Sequence, residues 1–463
     1  MTTVVRDGAP ALWQALWIAA VAGARLRAGT PLDRGLADAH AAVAAQIGRG
    51  EPLHPRAAAA AKDVAYVAAR HRALADALIA RLASRPPAPP VAALLGAALA
   101  QLCVQRHAAY AVVDQAVRAA KADDATAGAA GFVNAVLRNA LRQFESLVAE
   151  CEQEEEAVRC NLPVWWLQRL QRDHPLQWQQ IAQLQRRAPP LVLRVNALKT
   201  SRAAYLDQLA RAGIEATAVG ADAVWLRVPR PVEDIPGFAA GEVAVQDAGA
   251  QLAAPFLGVA DGMRVLDACA APGGKSAHLA ALAAIDLTAV DSDRARVPRI
   301  EHNLARLGSH PGARVTVRVA DVVRAAADGS LPRAGYDRIL LDAPCTASGI
   351  VRRHPDIPWL RRPTDVAQLA TQQARLLDAL WPLLGPTGRL LFAVCSVFVD
   401  EGEQQVQRFV SRTPDARLLP LPGRSSNAAP SLQLLPAEAD ADTADGLPGV
   451  HDGFFYALIE KHD

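Results

Sequence analysis

The chain has 463 residues, 51% of them hydrophobic and 21% charged, with a formal net charge of +2. This composition excludes a disordered chain, and the length exceeds one ordinary core, so roughly two or three domains are expected. A near-neutral total announces no nucleic-acid partner, but the charge is uneven: residues 160 to 230 carry ten Arg or Lys against four Asp or Glu.

Residues 1–145 are rich in Ala and Leu with helical periodicity and no strand pattern, which predicts an independent helical domain. The apolar run Ala11 to Ala24 is too short to span a bilayer. Leu12, Leu16 and Ala19-Ala20 recur at helical spacing and predict an amphipathic first helix. Asp33 is placed to cap the helix running through Ala45, and Pro86-Pro87-Ala88-Pro89-Pro90 reads as a stiff turn. The acidic stretch Glu145 to Glu156 reads as a solvated linker or a helix end, and 146–160 is taken as an acidic linker. Residues 161–235 then predict a small basic α/β module. Trp165, Trp166, Leu167, Leu170 and Trp178 suggest two short helices, followed by strands at Leu191–Val195 and Ala223–Val228 around a helix at Arg202–Ala212.

From residue 236 strands and helices alternate. Strands are predicted at Arg264–Asp267, Leu287–Asp291, Val315–Ala320, Arg338–Asp342 and Gly388–Val394. Helices are predicted between them, as at Asp293–Leu307 and Ala367–Leu384. That order predicts a doubly wound parallel sheet with helices on both faces. Pro414 to Pro448 reads as loop, and Gly453–Ile459 as a final antiparallel strand at a sheet edge.

The six cysteines (103, 151, 160, 269, 345 and 395) show no C-x-x-C spacing, which favours neither a zinc site nor a disulfide framework. Free thiols point to a reducing compartment, and the cytoplasm is the expected location.

Asp267-Ala-Cys-Ala-Ala-Pro-Gly-Gly-Lys275 carries the most information. An acid at a strand end, a glycine turn and a helix are how doubly wound folds cradle a nucleotide-like ligand. A phosphate-binding loop would need glycine at position 269, where Cys269 stands, and G-x-G-x-x-G is absent. A phosphate-free, adenosine-bearing ligand such as S-adenosylmethionine suits the small, rigid turn. Three further acids end predicted strands: Asp291, suited to ribose hydroxyls, Asp321, suited to an adenine amino group, and Asp342. Any one of them also serves as an ordinary helix cap; four at successive strand ends weaken that reading.

Cys345 follows Asp342-Ala343-Pro344, and Cys395 ends a strand 50 residues later. A lone cysteine in an apolar run is usually inert, but two at one cleft rim suit nucleophilic addition to an electron-poor ring carbon. Cytosine C5 gains the reactivity of an enamine carbon once a thiolate has added at C6. Between the cysteines, Arg352, Arg353, Trp359, Arg361 and Arg362 read as a basic, aromatic inlet for an RNA strand, or as a solvated loop.

These residues resemble the bacterial RNA 5-cytosine methyltransferases of the Sun/RsmB group in the Nop/Sun family. The likeness spans Asp267–Lys275, Asp342-Ala-Pro-Cys345, Ser348–Asp356, Asp452-Gly-Phe-Phe-Tyr456, Leu193-Arg-Val-Asn196 and Val245-Gln-Asp247. Gly131-Phe-Val-Asn-Ala-Val-Leu-Arg138 is similar to the NusB-type module that this group carries at its N-terminus. The resemblance implies a Rossmann-like S-adenosylmethionine methyltransferase domain, a small α/β RNA-binding subdomain and an N-terminal all-α NusB-like domain. It implies cofactor contacts at Cys269, Ala270, Ala271, Pro272, Gly273, Gly274, Lys275, Asp291, Asp321 and Asp342. It makes Cys395 the nucleophile and Cys345 the release partner, with Asp342 in its catalytic Asp-x-Pro-Cys; Asp342 is placed to hydrogen-bond the N3/N4 edge of the base and stabilise the added state. The DNA cytosine methyltransferases would instead make the Pro-Cys cysteine, Cys345, the nucleophile. Two departures stand out: Val394 replaces the family's usual Thr, and Gly402 stands where Asn is common. The implied substrate is 16S ribosomal RNA, with tRNA the alternative; an idle NusB-like assembly factor is the rival from another class. A monomer with no metal and neither a DNA nor a membrane partner is expected.

Overall fold

The computed structural model describes residues 11–47, 52–425 and 428–462. The chain separates by its contacts into two compact units, residues 1–187 with 351–361 and residues 188–350 with 362–463.

The first unit is helical. Its elements are α1 (Leu12–Arg27), α2 (Leu32–Ile47), α3 (Ala57–Arg70), α4 (Arg72–Leu82), α5 (Pro89–Val104), α6 (Ala109–Ala122) and α7 (Ala130–Arg142). α8 (Phe144–Glu154), α9 (Glu156–Cys160), α10 (Val164–Asp173) and α11 (Trp178–Arg186) follow. α1 is not the amphipathic surface helix expected from its spacing. Every residue from Trp13 to Ala20 is buried, because α1 packs against α2, α3, α5 and α6 and is apolar all round. Pro89 opens α5, so the proline run acts as the predicted break. Among the described residues no helix is long and apolar enough to cross a membrane.

Three expectations are corrected in this unit. Of the two readings of the acidic stretch, the helical one fits and the solvated linker does not: α8 and α9 run through it and send Leu147, Cys151 and Val158 into the core. Asp33 does not cap α2 but accepts the Tyr66 hydroxyl at 2.8 Å. The cap comes from far along the chain, where Asp356 Oδ2 accepts the Leu32 amide at 2.8 Å. The segment expected as a basic RNA inlet is therefore largely committed to the helical unit. Arg352 and Asp356 are buried, Arg70 donates to the Arg352 carbonyl at 2.7 Å, and Arg72 lies 4.7 Å from the Trp359 ring centre. The side chains of Val351, Pro355 and Pro358, all buried, draw the segment inward.

The second unit holds two sheets. The smaller is antiparallel, β2-β3-β1-β4, from β1 (Leu191–Val195), β2 (Ala216–Val219), β3 (Ala223–Leu226) and β4 (Val243–Val245), with α12 (Arg202–Arg211) capped by Ser201. Sequence patterning missed β2 and β4, which are too short to show alternation.

The larger sheet has the order β10-β14-β9-β8-β5-β6-β7, with β11 also on β14. Its strands are β5 (Arg264–Asp267), β6 (Asp286–Asp291), β7 (Arg314–Val319), β8 (Tyr336–Asp342), β9 (Leu384–Val394), β10 (Ala416–Leu419), β11 (Ser431–Leu434) and β14 (Phe454–Lys461). A two-residue pair, β12 (Ala437–Glu438) with β13 (Val450–His451), lies apart. β5 to β9 are parallel and β14 is antiparallel. Alternating side chains are buried on both faces: Leu390, Phe392 and Val394 join one core, Leu391 and Ala393 the other. β14 is not the edge, since β10 and β11 pair with it; the 414–448 stretch expected as loop supplies both, burying Leu432 and Leu434.

The Asp356 cap gives a stability prediction. Asp356→Ala lowers the unfolding free energy by about 1–2 kcal/mol in a denaturant titration, and Asp356→Asn by clearly less. Equal loss in both variants would show that the capping oxygen contributes nothing.

Candidate active site

The chain runs β5, β6, β7 to one side and then β8, β9 to the other, so the strand order reverses between β5 and β8. Ligands of such sheets bind beyond the carboxyl ends at that reversal. A cleft of about 700 Å³ lies there, with Cys269, Asp291, Asp321, Asp342, Cys345 and Cys395 in its wall.

The turn after β5 is fixed from several directions. Gly273 adopts φ +95°, and a Cβ there would stand 2.8 Å from Ile300 Cα, so only glycine fits. Ala270 and Ala271 are buried against Ala289, Val297 and Ile300. Arg296 donates to the Ala271 carbonyl at 2.9 Å, and Asn303 to the Pro272 carbonyl at 2.8 Å. The Gly274 carbonyl accepts from Arg194 at 2.9 Å. Arg194 sits on β1, within the Leu193–Asn196 motif, and Asn196 donates to the Gly241 and Leu307 carbonyls. That motif therefore anchors the small sheet to the glycine turn. Arg296, Asn303 and the reach of Arg194 were not visible in the sequence, because their partners are backbone carbonyls that carry no residue signature.

The four acids differ in role. Asp267 is buried; its Oδ2 accepts the Ser276 hydroxyl at 2.6 Å, while Oδ1 is buried without a hydrogen-bond partner among the described residues. Burial pushes its carboxyl up to about 7. Asp291 accepts the Ala271 amide at 2.9 Å and the Asp293 amide at 3.0 Å, so it braces the glycine turn as well as facing the cleft. Asp321 caps the helix Val322–Ala327 through the Val323 and Arg324 amides, the ordinary alternative weighed above, and still lines the cleft. Asp342 pairs with Lys275 at 2.6 Å. Burial pulls the Lys275 ammonium down, but the Asp342 charge and hydrogen bond outweigh it and hold its pKa above the usual lysine value. Lys275, read only as part of the cofactor turn, therefore reaches the acid beside the cysteines.

Strand register explains how residues 50 apart become neighbours. Asp342 on β8 is level with Ala393 on β9, so Cys345 and Cys395 emerge side by side just past the sheet. Their sulfur atoms are 3.5 Å apart. The hydrogen bond to Cys395 and burial hold the Cys345 thiol well above the usual thiol range. Gln373 donates to the Pro344 carbonyl at 2.9 Å and fixes the turn that carries Cys345. Behind the cleft, Asp247 accepts the Asp452 amide, and the Tyr456 hydroxyl donates to the Gly249 carbonyl at 2.8 Å, which locks two of the motif segments together. Gly453 donates to the Gly349 carbonyl at 2.9 Å, and a Cβ on Gly349 would stand 2.1 Å from the Gly453 oxygen, so this crossing also requires glycine.

The chain matches three family models: 16S rRNA methyltransferase RsmB/F over residues 254–460, the RsmF/B-like ferredoxin-like domain over 162–233, and the NusB family over 32–142. It is 43% identical over 339 residues to the ribosomal RNA small subunit methyltransferase B of Citrobacter koseri, covering 72% of this chain and 73% of that protein. Against the protein of the same name from Vibrio cholerae it is 42% identical over 371 residues, covering 78% and 79%. The crystal structure of PH0851 shares the fold, with a TM-score of 0.73 and 22% identity over 96% of this chain and 99% of that one. The helical unit, the small antiparallel sheet and the mixed sheet with its rim of acids and cysteines thus coincide with three matched models, and the chain belongs to the RsmB/F family of S-adenosylmethionine-dependent 16S rRNA methyltransferases.

Proposed function

We propose that this chain methylates C5 of a cytosine in 16S ribosomal RNA, with Cys395 as nucleophile, Cys345 as release partner and Asp342 as the acid on the base. The observation that carries this reading is the pair of sulfur atoms 3.5 Å apart beside the Lys275–Asp342 ion pair, at the rim of the cleft.

The cleft fits the cofactor of the family. Four carboxylates at the strand ends repel a polyphosphate, and Cys269 removes the glycine that a phosphate cradle needs. A cation is welcome instead, because Asp291 and Asp321 face the cleft and Asp267 lies buried behind its turn. S-adenosylmethionine, when bound, supplies an electrophilic methyl group on a sulfonium. Asp267, the turn Cys269–Gly274, Asp291 and Asp321 would hold it.

The chain's own residues supply the rest. Cys395, as thiolate, adds to C6 of the ring, and the displaced electron pair makes C5 nucleophilic. Asp342, paired with Lys275, accepts from the N4 amino group and holds the base against the cysteines. After C5 takes the methyl, water in the open cleft takes up the C5 proton, and its electron pair returns to the ring and expels the Cys395 thiolate. Cys345 is held as a thiol, so its S–H donates to the departing sulfur.

RNA containing 5-fluorocytosine forms a stable adduct with the wild-type protein and none with Cys395→Ala. Cys345→Ala keeps the adduct and accumulates on ordinary RNA. An adduct lost in Cys345→Ala and kept in Cys395→Ala reverses the two roles. Bisulfite sequencing of 16S rRNA from a deletion strain shows one cytosine newly unprotected; a loss confined to tRNA would reject the substrate.

The Asp267 carboxyl gives a pH signature. Its value is raised to about 7, so below that pH the ligand-free site holds a proton. A cationic ligand favours the ionised form and must displace this proton. Affinity for S-adenosylmethionine therefore rises by up to about tenfold per pH unit towards 7 and then levels off. Calorimetry should show this slope in wild type and a flat, weaker profile in Asp267→Asn; parallel profiles would exclude Asp267 as the cation's partner.

A further inference from the structure

One buried acid in the catalytic unit takes no part in the chemistry above, yet touches the chain next to both cysteines. Glu401 is fully buried. Its Oε1 accepts the Thr346 amide at 2.8 Å, and its Oε2 accepts the Thr346 hydroxyl at 2.5 Å and the Ser396 hydroxyl at 2.6 Å. Thr346 follows Cys345 and Ser396 follows Cys395. Burying a carboxylate costs several kcal/mol unless donors surround it. Here three donors come from the two residues adjoining the reacting pair.

The network has a defined direction. Ser396 gives its only hydroxyl proton to Glu401, so in the 2.8 Å contact between Ser348 and Ser396 the Ser348 hydroxyl is the donor. Ser348 Oγ in turn accepts the Val397 amide at 2.9 Å, and Ser396 Oγ accepts the Phe398 amide at 3.1 Å. A backbone bond, Gly349 amide to Cys395 carbonyl at 3.0 Å, runs alongside. Two turns from separate strands are therefore cross-linked through a single carboxylate.

We infer that Glu401 is a positioning residue for methyl transfer, tying the turn that carries Cys345 to the turn that carries Cys395 and so setting the 3.5 Å separation of the two sulfur atoms. The inference rests on the reading that Cys395 attacks while Cys345 remains a thiol. The Glu401 charge acts in the same sense: after the Cys395 hydrogen bond, burial and the Cys395 charge, it adds to the forces that keep Cys345 protonated. A group that ties the two turns together therefore sets the spacing at which the two sulfur atoms act.

Glu401→Gln keeps the shape but removes the charge and turns an amide nitrogen towards hydroxyls that had been donors. Its KM values for RNA and S-adenosylmethionine stay within about twofold while kcat falls about 100-fold, the scale of a misplaced reacting group. Alkylation of Cys345 by iodoacetamide, followed by peptide mass spectrometry, accelerates about tenfold. Glu401→Asp retains the charge but is a methylene shorter, so it restores the slow alkylation and not kcat. Thr346→Val removes one donor, serves as the second variant should Glu401→Gln unfold, and lowers kcat about tenfold at unchanged KM.

Wild-type kcat in folded Glu401→Gln, or unchanged alkylation of Cys345, overturns the inference. So does a loss of activity that disappears at temperatures where the variant is fully folded, since the role is then only stability. Mapping the 5-fluorocytosine adduct in wild type tests the nucleophile separately. An adduct on Cys345 removes the assignment of Cys395, whereas the kcat and alkylation arms still decide whether Glu401 couples the two turns.

Discussion

The parallel register of β5, β8 and β9 is the constraint on which this site depends. With Asp267 level with Leu340, and Asp342 level with Ala393, the strands end within a few residues of one another at the point of reversal. Residues from three distant stretches of chain then share one rim, with no long loop needed to gather them. A one-residue slip of β9 would exchange its two faces, sending Leu390, Phe392 and Val394 away from their core. The apolar alternation that fills the two cores therefore also sets where Cys395 emerges. Packing and catalysis are specified by the same residues.

The electrostatics follow from that crowding. Asp267, Asp291, Asp321 and Asp342 converge beyond adjacent strands, and like charges in a cleft repel. The fold answers each one differently. Asp267 is buried and raised towards neutrality, Asp291 and Asp321 are bonded by backbone amides, and Asp342 is paired with Lys275. The ion pair is also mechanical. Lys275 lies in the first turn of the helix after the glycine turn, and Asp342 ends the strand before the first cysteine, so the pair ties the glycine turn to the turn that carries Cys345.

Much of this was legible in the sequence, and the failures share a physical cause. Four of the central parallel strands were readable because an acid stands at or just beyond the end of each, and those acids do stand at strand ends. Local pattern failed where a partner lies far away in the chain. Asp33 reads as a cap in the sequence, but the helix already begins at Leu32 and its cap is Asp356, more than 300 residues later. Arg352 and Trp359 have the composition of a nucleic-acid inlet, yet their surroundings in the helical unit bury or cover them. α1 shows helical spacing, which reveals one apolar face; that the opposite face is also covered depends on the bundle around it. In the site, Cys345 and Cys395 were identifiable as residues, but Glu401 between them was not, because a lone acid after a strand has no distinguishing spacing.

The two departures from the family pattern become intelligible in the same terms. Val394 was expected to cost a hydroxyl near the nucleophile. Its side chain is fully buried in the apolar core with Phe392 and Phe455, where a hydroxyl would face desolvation. The hydroxyls that surround the cysteine turns come instead from Ser396, Thr346 and Ser348. Gly402 sits against the Phe455 ring, and a Cβ there would lie 2.9 Å from it, so this core leaves no room for the asparagine common at that position. Both departures answer to the packing of β9 against β14 rather than to the chemistry. Cys395, fixed between that core and the Glu401 network, is where the two demands meet.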